Sequence, residues 1–207
     1  MKKLLVLDAD STLFNEEAID LLASLSGVQS QVSRITEAAM RGELDFSQSL
    51  IQRVGLLKNS SATLIDEARD QLTLTEGAIE LIDSARQRNC EVAVVSGGFV
   101  EILEPLLIPL GIHKYRANQL GIQDGVLSGN LVGAIVDRSA KANILKEFAR
   151  ELNLDLIDTI AVGDGANDIE MIETAGIGIA FCAKSALTKV ADVSINTRDL
   201  KLVIDYI

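Results

Sequence analysis

Histidine is nearly absent: His113 is the single one in 207 residues. A Ser-His-Asp hydrolase or a multi-histidine zinc site would have to draw every imidazole from it. It follows Gly111-Ile112 in a loop-like stretch and reads as surface, so both chemistries fit poorly. Cysteine is almost as scarce. Cys90 and Cys182 lie far apart, without metal-type spacing and each beside apolar sequence. They read as buried free thiols in a reducing compartment. Positive charge is also short: 19 Lys and Arg against 30 Asp and Glu give a net charge of −11. With no basic stripe, nucleic acid and anionic membrane surfaces are disfavoured as partners. An anionic substrate would need a local positive patch or a metal. No apolar run reaches the length of a membrane span. The most apolar region, 92–112, is broken by Gly97, Gly98, Glu101, Glu104, Pro105 and Pro109. The start, Met1-Lys2-Lys3, resembles that of a signal peptide, but the apolar run behind it ends at Asp8, too soon for a signal core. A cytoplasmic location is the expectation. Pro-rich linkers, internal repeats and low-complexity tracts are missing too.

What is abundant is apolar sequence, 48% of residues, with a mean hydropathy of +0.26. Parallel strands buried on both faces explain this best. Short apolar runs at 4–7, 92–95, 159–162, 177–181 and 193–195 read as strands. Helical patterns at 78–88, 140–152, 168–175 and 186–190 separate them. That alternation predicts an α/β, Rossmann-like doubly wound parallel sheet. Two stretches depart from it. Residues 15–73 carry four helical patterns, at 16–25, 28–41, 46–57 and 62–72, punctuated by Gly27, Gly42 and Asn59-Ser60-Ser61. Asp124-Gly125, between short apolar runs, reads as the turn of a small β-hairpin at about 117–135. The expected organisation is a catalytic core of 1–14 and 74–207, with a four-helix cap of 15–73 inserted after strand one.

Asp8-Ala9-Asp10-Ser11-Thr12 follows the apolar run of strand one directly. Side chains two apart on an extended strand point the same way. Ligands of open α/β sheets bind at the carboxyl ends of strands. Two like charges sharing one spot need a cation or a shared proton, although an acidic pair opening a loop is also common turn chemistry. Ser96-Gly97-Gly98 ends another strand, either as an oxyanion-binding turn or as an ordinary connection. Gly163-Asp164-Gly165-Ala166-Asn167-Asp168 ends a third, placing Asp164 at the same sheet edge as Asp8. Such oxygen donors suit Mg²⁺, while Asn167 and Asp168 equally suit helix capping. Lys141 opens a helix, where most lysines are solvated. In the insert, Met40 and Phe46 read as packing residues, and Glu17 and Arg53 as surface charges.

Together these residues are more specific than any of them alone. The set Asp8-x-Asp10-x-Thr12, Ser96, Lys141 and Gly163-Asp164-Gly165-x-Asn167-Asp168 resembles the haloacid dehalogenase superfamily of phosphotransferases. Glu17 with Ile19-Asp20, Met40-Arg41-Gly42, Phe46, Arg53 and Ser96-Gly97-Gly98-Phe99 extend the likeness to its phosphoserine phosphatase family, over nearly the whole chain to Arg198-Asp199-Leu200. The resemblance implies Mg²⁺-dependent hydrolysis of O-phospho-L-serine to L-serine and phosphate, the last step of serine biosynthesis, through an aspartyl-phosphate. It implies Asp8 as nucleophile and Asp10 as general acid and base. It implies Lys141 as a fixed positive charge, and Ser96, Gly97 and Asn167 around the phosphate. Mg²⁺ falls to the carboxylates of Asp8 and Asp164 and the backbone carbonyl of Asp10. Arg53 takes the substrate carboxylate and Glu17 its ammonium, while Met40 and Phe46 help the insert close. The alternatives are another small phosphomonoester, phosphate transfer to an alcohol such as homoserine, or a non-catalytic receiver module, against which Asp10, Lys141 and the insert argue. The expected assembly is a monomer or homodimer. Many family members carry an N-terminal regulatory domain. This chain starts three residues before strand one, so feedback control by serine through such a domain is not expected. Thr75-Glu76-Gly77 stands where many members have a Pro-Gly turn.

Overall fold

A computed structural model describes residues 2–207. Its centre is a seven-stranded sheet in the order β4-β3-β2-β1-β5-β6-β7. The strands are β1 (Lys3–Leu7), β2 (Cys90–Phe99), β3 (Lys114–Gln123), β4 (Val126–Val132), β5 (Thr159–Gly163), β6 (Ile177–Phe181) and β7 (Val193–Ile195). Neighbours pair in parallel except β3 with β4. Strand alternation sends Leu5, Leu7, Val92, Val94, Ile160 and Val162 into one core. Leu4, Val6, Ala93, Val95 and Ala161 enter the other. Both faces are covered, which is why β1 reads as an unbroken apolar run. Each fully buried leucine contributes about 1.5–3 kcal/mol, so slipping β1 by one residue has no solvated face to turn towards.

The second core is closed by α7 (Arg138–Glu151) and α8 (Ile169–Thr174), through Leu145, Phe148, Met171 and Ile172. The first takes α5 (Ala78–Gln87) and α6 (Val100–Leu107), with Leu81, Ile82, Ile102 and Leu103 inward. α9 (Ser185–Thr188) follows β6. Between β1 and α5 lie α1 (Ala18–Leu25), α2 (Gln29–Met40), α3 (Phe46–Leu56) and α4 (Leu64–Arg69). α3 starts at a capping box: Asp45 accepts from the Gln48 amide at 2.7 Å, and the Gln48 side chain accepts from the Asp45 amide at 3.1 Å. The four helices leave and rejoin the sheet through paired strands of chain. Phe14 bridges Leu74, and the Asn15 amide donates to the Thr73 carbonyl at 2.9 Å.

Three features differ from the sequence expectation. The hairpin belongs to the main sheet. β3 begins at Lys114, runs parallel to β2, and then pairs antiparallel with β4 around Asp124-Gly125, both at positive φ as a type I′ turn requires. Its tip also holds the helical segment, since the Asn59 amide donates to the Leu127 carbonyl and the Leu127 amide to the Ser60 carbonyl, both at 2.9 Å. β2 does not stop at Val95 but continues to Phe99 through a register shift that contains Ser96-Gly97-Gly98. α7 starts at Arg138, with Asp137 capping the Ala140 amide at 2.9 Å, so Lys141 sits one turn inside the helix. No helix among the described residues is long and apolar enough to cross a membrane.

Candidate active site

β1, β2 and β5 are adjacent and parallel, so their carboxyl ends open on one place. The Asp8 amide donates to the Val162 carbonyl at 2.9 Å, prolonging the β1–β5 ladder by one bond. Beyond it the chain leaves extended geometry. Residues Ala9–Leu13 wind into a tight turn, with Ser11 at φ 56 and the Phe14 amide closing on the Ala9 carbonyl at 2.9 Å. Asp10 therefore does not project beside Asp8 as along a strand. Its Oδ1 accepts from the Ala18 amide at 3.0 Å, at the start of α1. The carboxylates that come within 4.8 Å of one another are Asp8, Asp164 and Asp168.

Lys141 lies among them and is fully buried, where the sequence suggested a solvated lysine. Its Nζ is 2.8 Å from Asp8 Oδ1 and 2.6 Å from Asp168 Oδ1. Asp8 Oδ1 also accepts from the Ala9 amide at 2.7 Å, which leaves Oδ2 for other work. Asp168 Oδ2 accepts from the amides of Asp164 at 3.2 Å and Gly165 at 3.0 Å. Asp168 is thus both a brace for the Asp164-Gly165 loop and the second partner of Lys141. A buried ion pair survives only with good geometry and further hydrogen bonds; here Lys141 has two carboxylate partners and both oxygens of Asp168 are engaged.

Negative charge remains in excess. Burial, and then Asp168, hold the Asp8 carboxyl well above its ordinary range despite Lys141. Burial followed by Asp168 pushes Asp164 up to about 7. Burial followed by Glu17 pushes Asp10 up to about 7. Burial alone would lower Lys141, but Asp168 and Asp8 reverse this and raise it. Three converging carboxylates, all oxygen donors and short of positive charge, fit a hard divalent cation.

Above this floor is a cavity of about 1010 Å³, roofed by residues of α1, α2 and α3. Asp8, Asp10, Glu17, Met40, Phe46, Arg53, Gly97, Asp164 and Asn167 all line it. Ser96 and Lys141 lie fully buried. Ser96 Oγ accepts from the Gly98 amide at 2.8 Å, so its proton stays free to donate. A Cβ on Gly97 would come within 2.7 Å of Phe46 Cζ, and one on Gly98 within 2.8 Å of Asp10 Oδ2. Glycine at both positions lets α3 and the Asp10 turn close onto β2. Arg53, which local pattern alone would leave on the surface, is only 9% exposed, and its Nε donates to the Ser49 carbonyl at 3.4 Å. Glu17 accepts from the Ser11 hydroxyl at 3.0 Å. Met40 does not pack: at the end of α2 it is 67% exposed.

Two contributors receive no role from the sequence, although Asp20 belongs to the Glu17, Ile19-Asp20 motif. Asn118, 1% exposed on β3, donates through Nδ2 to the Gly97 carbonyl and accepts at Oδ1 from the Val136 amide, both at 2.8 Å. It ties the Ser96-Gly97-Gly98 bulge to the segment entering α7. Asp20, on the cavity wall, has its carboxyl raised by burial and then by Glu17.

This arrangement has known counterparts. A family profile described as haloacid dehalogenase-like hydrolase matches residues 2–176. The chain belongs to that family. It is 45% identical over its whole length to a phosphoserine phosphatase of Lactococcus lactis, covering 95% of that protein. It is also 45% identical to one of Methanocaldococcus jannaschii, covering 98%. A phosphoserine phosphatase of Mycobacterium tuberculosis is 50% identical over 94% of this chain, which spans about half of that longer relative. Among solved structures, a phospho-aspartyl intermediate analogue of phosphoserine phosphatase superposes with a TM-score of 0.95 at 45% identity, covering 100% of this chain and 99% of that one. A substrate-bound phosphoserine phosphatase complex also gives 0.95, at 44% identity and the same coverage.

Proposed function

We propose that this member of the family hydrolyses O-phospho-L-serine to L-serine and phosphate through an aspartyl-phosphate on Asp8. The observation that carries the reading is the Asp8 carboxylate: one oxygen is fixed by Lys141 and the Ala9 amide, and the residue lies on the floor of a cavity that Asp10 also lines. Asp8 Oδ2 attacks phosphorus and the bond to the serine oxygen breaks. Asp10 gives its proton to the leaving alkoxide, then takes one from the water that attacks the phosphorylated Asp8, releasing phosphate and restoring the carboxylate. An acid near neutrality serves both turns, and Asp10 sits at about 7. Lys141 holds Asp8 in place and offsets charge. The Ser96 hydroxyl, the Gly97 amide and Asn167 hold phosphate oxygens. Mg²⁺ is the cation we assign; the Asp8 and Asp164 carboxylates and the Asp10 carbonyl would hold it. Asp168 braces the Asp164 loop beside them. The cation, when bound, would neutralise charge as nucleophile and phosphate approach.

Arg53 pairs with the substrate carboxylate and Glu17 with its ammonium, while Phe46 and Met40 belong to the closing roof. The test is phosphate release from phosphoserine with Mg²⁺ and its loss with a chelator. Arg53→Ala in the same assay is expected to raise KM for phosphoserine by about 10²-fold, the scale for truncating one partner of a buried charge pair. KM for a phosphate ester without a carboxylate should change little. Equal rises for both esters would remove Arg53 from this role, and faster transfer to an alcohol than to water would replace hydrolysis by phosphotransfer.

The acidic cluster makes a second expectation. In metal-free protein Asp10 and Asp164 titrate at about 7 and Asp8 is raised, whereas unfolded aspartates titrate near about 4. Between those values the folded state binds more protons than the unfolded, so stability falls as pH rises through this window. Mg²⁺ takes over from the protons. Thermal melts should show a larger Mg²⁺-induced rise in Tm at about pH 8 than at about pH 5. A pH-independent rise would count against cation binding at these carboxylates. The free thiols Cys90 and Cys182 support a cytoplasmic location. One chain supplies every residue named, so a monomer suffices and a homodimer is compatible.

A further inference from the structure

Ser49 presents a local problem. It is 2% exposed, on α3, and its Oγ has no hydrogen-bond partner. A buried hydroxyl without a partner is destabilising. The usual local remedy, back-bonding to the carbonyl one turn earlier, is not used: the Asp45 carbonyl accepts from the Ser49 amide at 3.0 Å, while Oγ stays unpaired. Alanine would remove the orphan and is a better helix former. Ser49 therefore makes physical sense if its partner is a molecule other than the chain. Its position agrees. Of the four orphaned side-chain oxygens among the described residues, two, Ser49 Oγ and Thr36 Oγ1, belong to residues lining the active-site cavity.

We infer that Ser49 is a further specificity residue, whose hydroxyl donates to the substrate carboxylate alongside Arg53; this rests on the phosphoserine reading given above. Ser49 and Arg53 are one turn apart and so share a helix face. Arg53 lines the cavity and its Nε is committed to the Ser49 carbonyl, which leaves the terminal nitrogens of the guanidinium for a carboxylate. A carboxylate has about four acceptor sites, more than one guanidinium fills. A hydroxyl that turns about a single bond can take another of them. A hydroxyl oxygen can also accept from an ammonium, but Glu17 and Asp20 already supply acceptors of full negative charge for that group on the same cavity, whereas the carboxylate is assigned Arg53 alone. The orphan hydroxyl therefore selects the carboxylate end of the ligand.

Ser49→Ala separates this from a structural role. KM for phosphoserine and the Ki of L-serine as a competitive inhibitor should each rise by about tenfold, the scale of one hydrogen bond to a charged group. The Ki of inorganic phosphate, which has no carboxylate, should stay within about twofold. The Tm of the ligand-free variant should hold or rise by about 2–4 °C, because nothing in the free protein loses a partner. Equal changes in KM and in the phosphate Ki would overturn the assignment. So would an unchanged KM, or a variant that melts lower or fails to fold. A wild-type protein inactive on phosphoserine overturns the functional reading and this assignment with it. An active wild type with a non-selective Ser49→Ala variant overturns this assignment alone.

Discussion

Asp8→Asn is expected to abolish phosphate release while leaving the fold standing. Asparagine keeps the carbonyl oxygen that accepts from the Ala9 amide and from Lys141. It replaces only the second oxygen, the one proposed to attack phosphorus, with an amide nitrogen. Loss of a covalent nucleophile acting as part of a unit lowers kcat on the order of 10⁴-fold or more. Stability should move the other way. Burial and Asp168 raise the Asp8 carboxyl above its ordinary range, so at neutral pH ionisation of this group is easier in the unfolded chain than in the folded one. Removing the titratable group removes that penalty, and Lys141 keeps Asp168 as counter-ion at 2.6 Å. The metal-free variant should therefore melt at or above the wild-type temperature. Steady-state phosphate release and circular-dichroism melts read the two effects separately. Release at the wild-type rate would take Asp8 out of the nucleophile role. A collapsed melt would mean that the charge of Asp8, and not its geometry, holds the floor of the site together. An active site that is destabilising in the free protein is a common consequence of selection for function over stability.

How much of this was legible follows from where the information lies. β1, β5 and β6 could be read because both of their faces are buried, so their apolar runs have sharp ends, and the acids at those ends mark the sheet edge. The first half of β3 could not. Lys114 and Arg116 break the apolar pattern, yet both stand over the Phe148 ring, at 4.9 and 5.3 Å from its centroid, and pair with Glu151 and Glu147. α6 starts at Val100, directly after Phe99 ends β2, and the only turn signal nearby, Ser96-Gly97-Gly98, lies inside the strand. The burial of Lys141 was invisible for a different reason. Its counter-charge Asp168 is 27 positions away, and local pattern treats any charged residue on an amphipathic helix as solvated. Asp168 itself was half legible: capping chemistry accounts for one of its oxygens and long-range pairing for the other. Glu17 and Arg53 likewise read as surface charges because only the packing of α1 and α3 over the sheet brings them to one cavity. The family likeness, carried by motif order, located residues that periodicity would have assigned to solvent.

Lys141→Ala should be the most damaging change to the fold among the site residues. The ammonium is fully buried between two buried carboxylates, Asp8 at 2.8 Å and Asp168 at 2.6 Å. Taking it away leaves both without their cation, and breaking such a pair from one side costs about 3–5 kcal/mol. Against a typical total of about 5–15 kcal/mol, that threatens folding at neutral pH. The sign of the pH dependence tests the cause. Lys141 is a lowering influence on the Asp8 carboxyl, so without it Asp8 rises further. The folded variant then holds protons at pH values where the unfolded chain has lost them, and its stability increases as pH falls. The deficit relative to wild type should therefore be greatest near about pH 7 and shrink towards about pH 4. If the single variant does not accumulate, Lys141→Ala combined with Asp168→Asn should recover part of the loss, because one of the two stranded charges is gone. Catalysis should still fall by about 10²–10³-fold in kcat, the scale for losing one preorganised electrostatic contact. A deficit that is flat with pH, and that the double variant does not relieve, would assign Lys141 to packing along its aliphatic stem. A deficit that follows pH would establish it as the charge that lets Asp8 lie buried and ionised at the foot of the cavity.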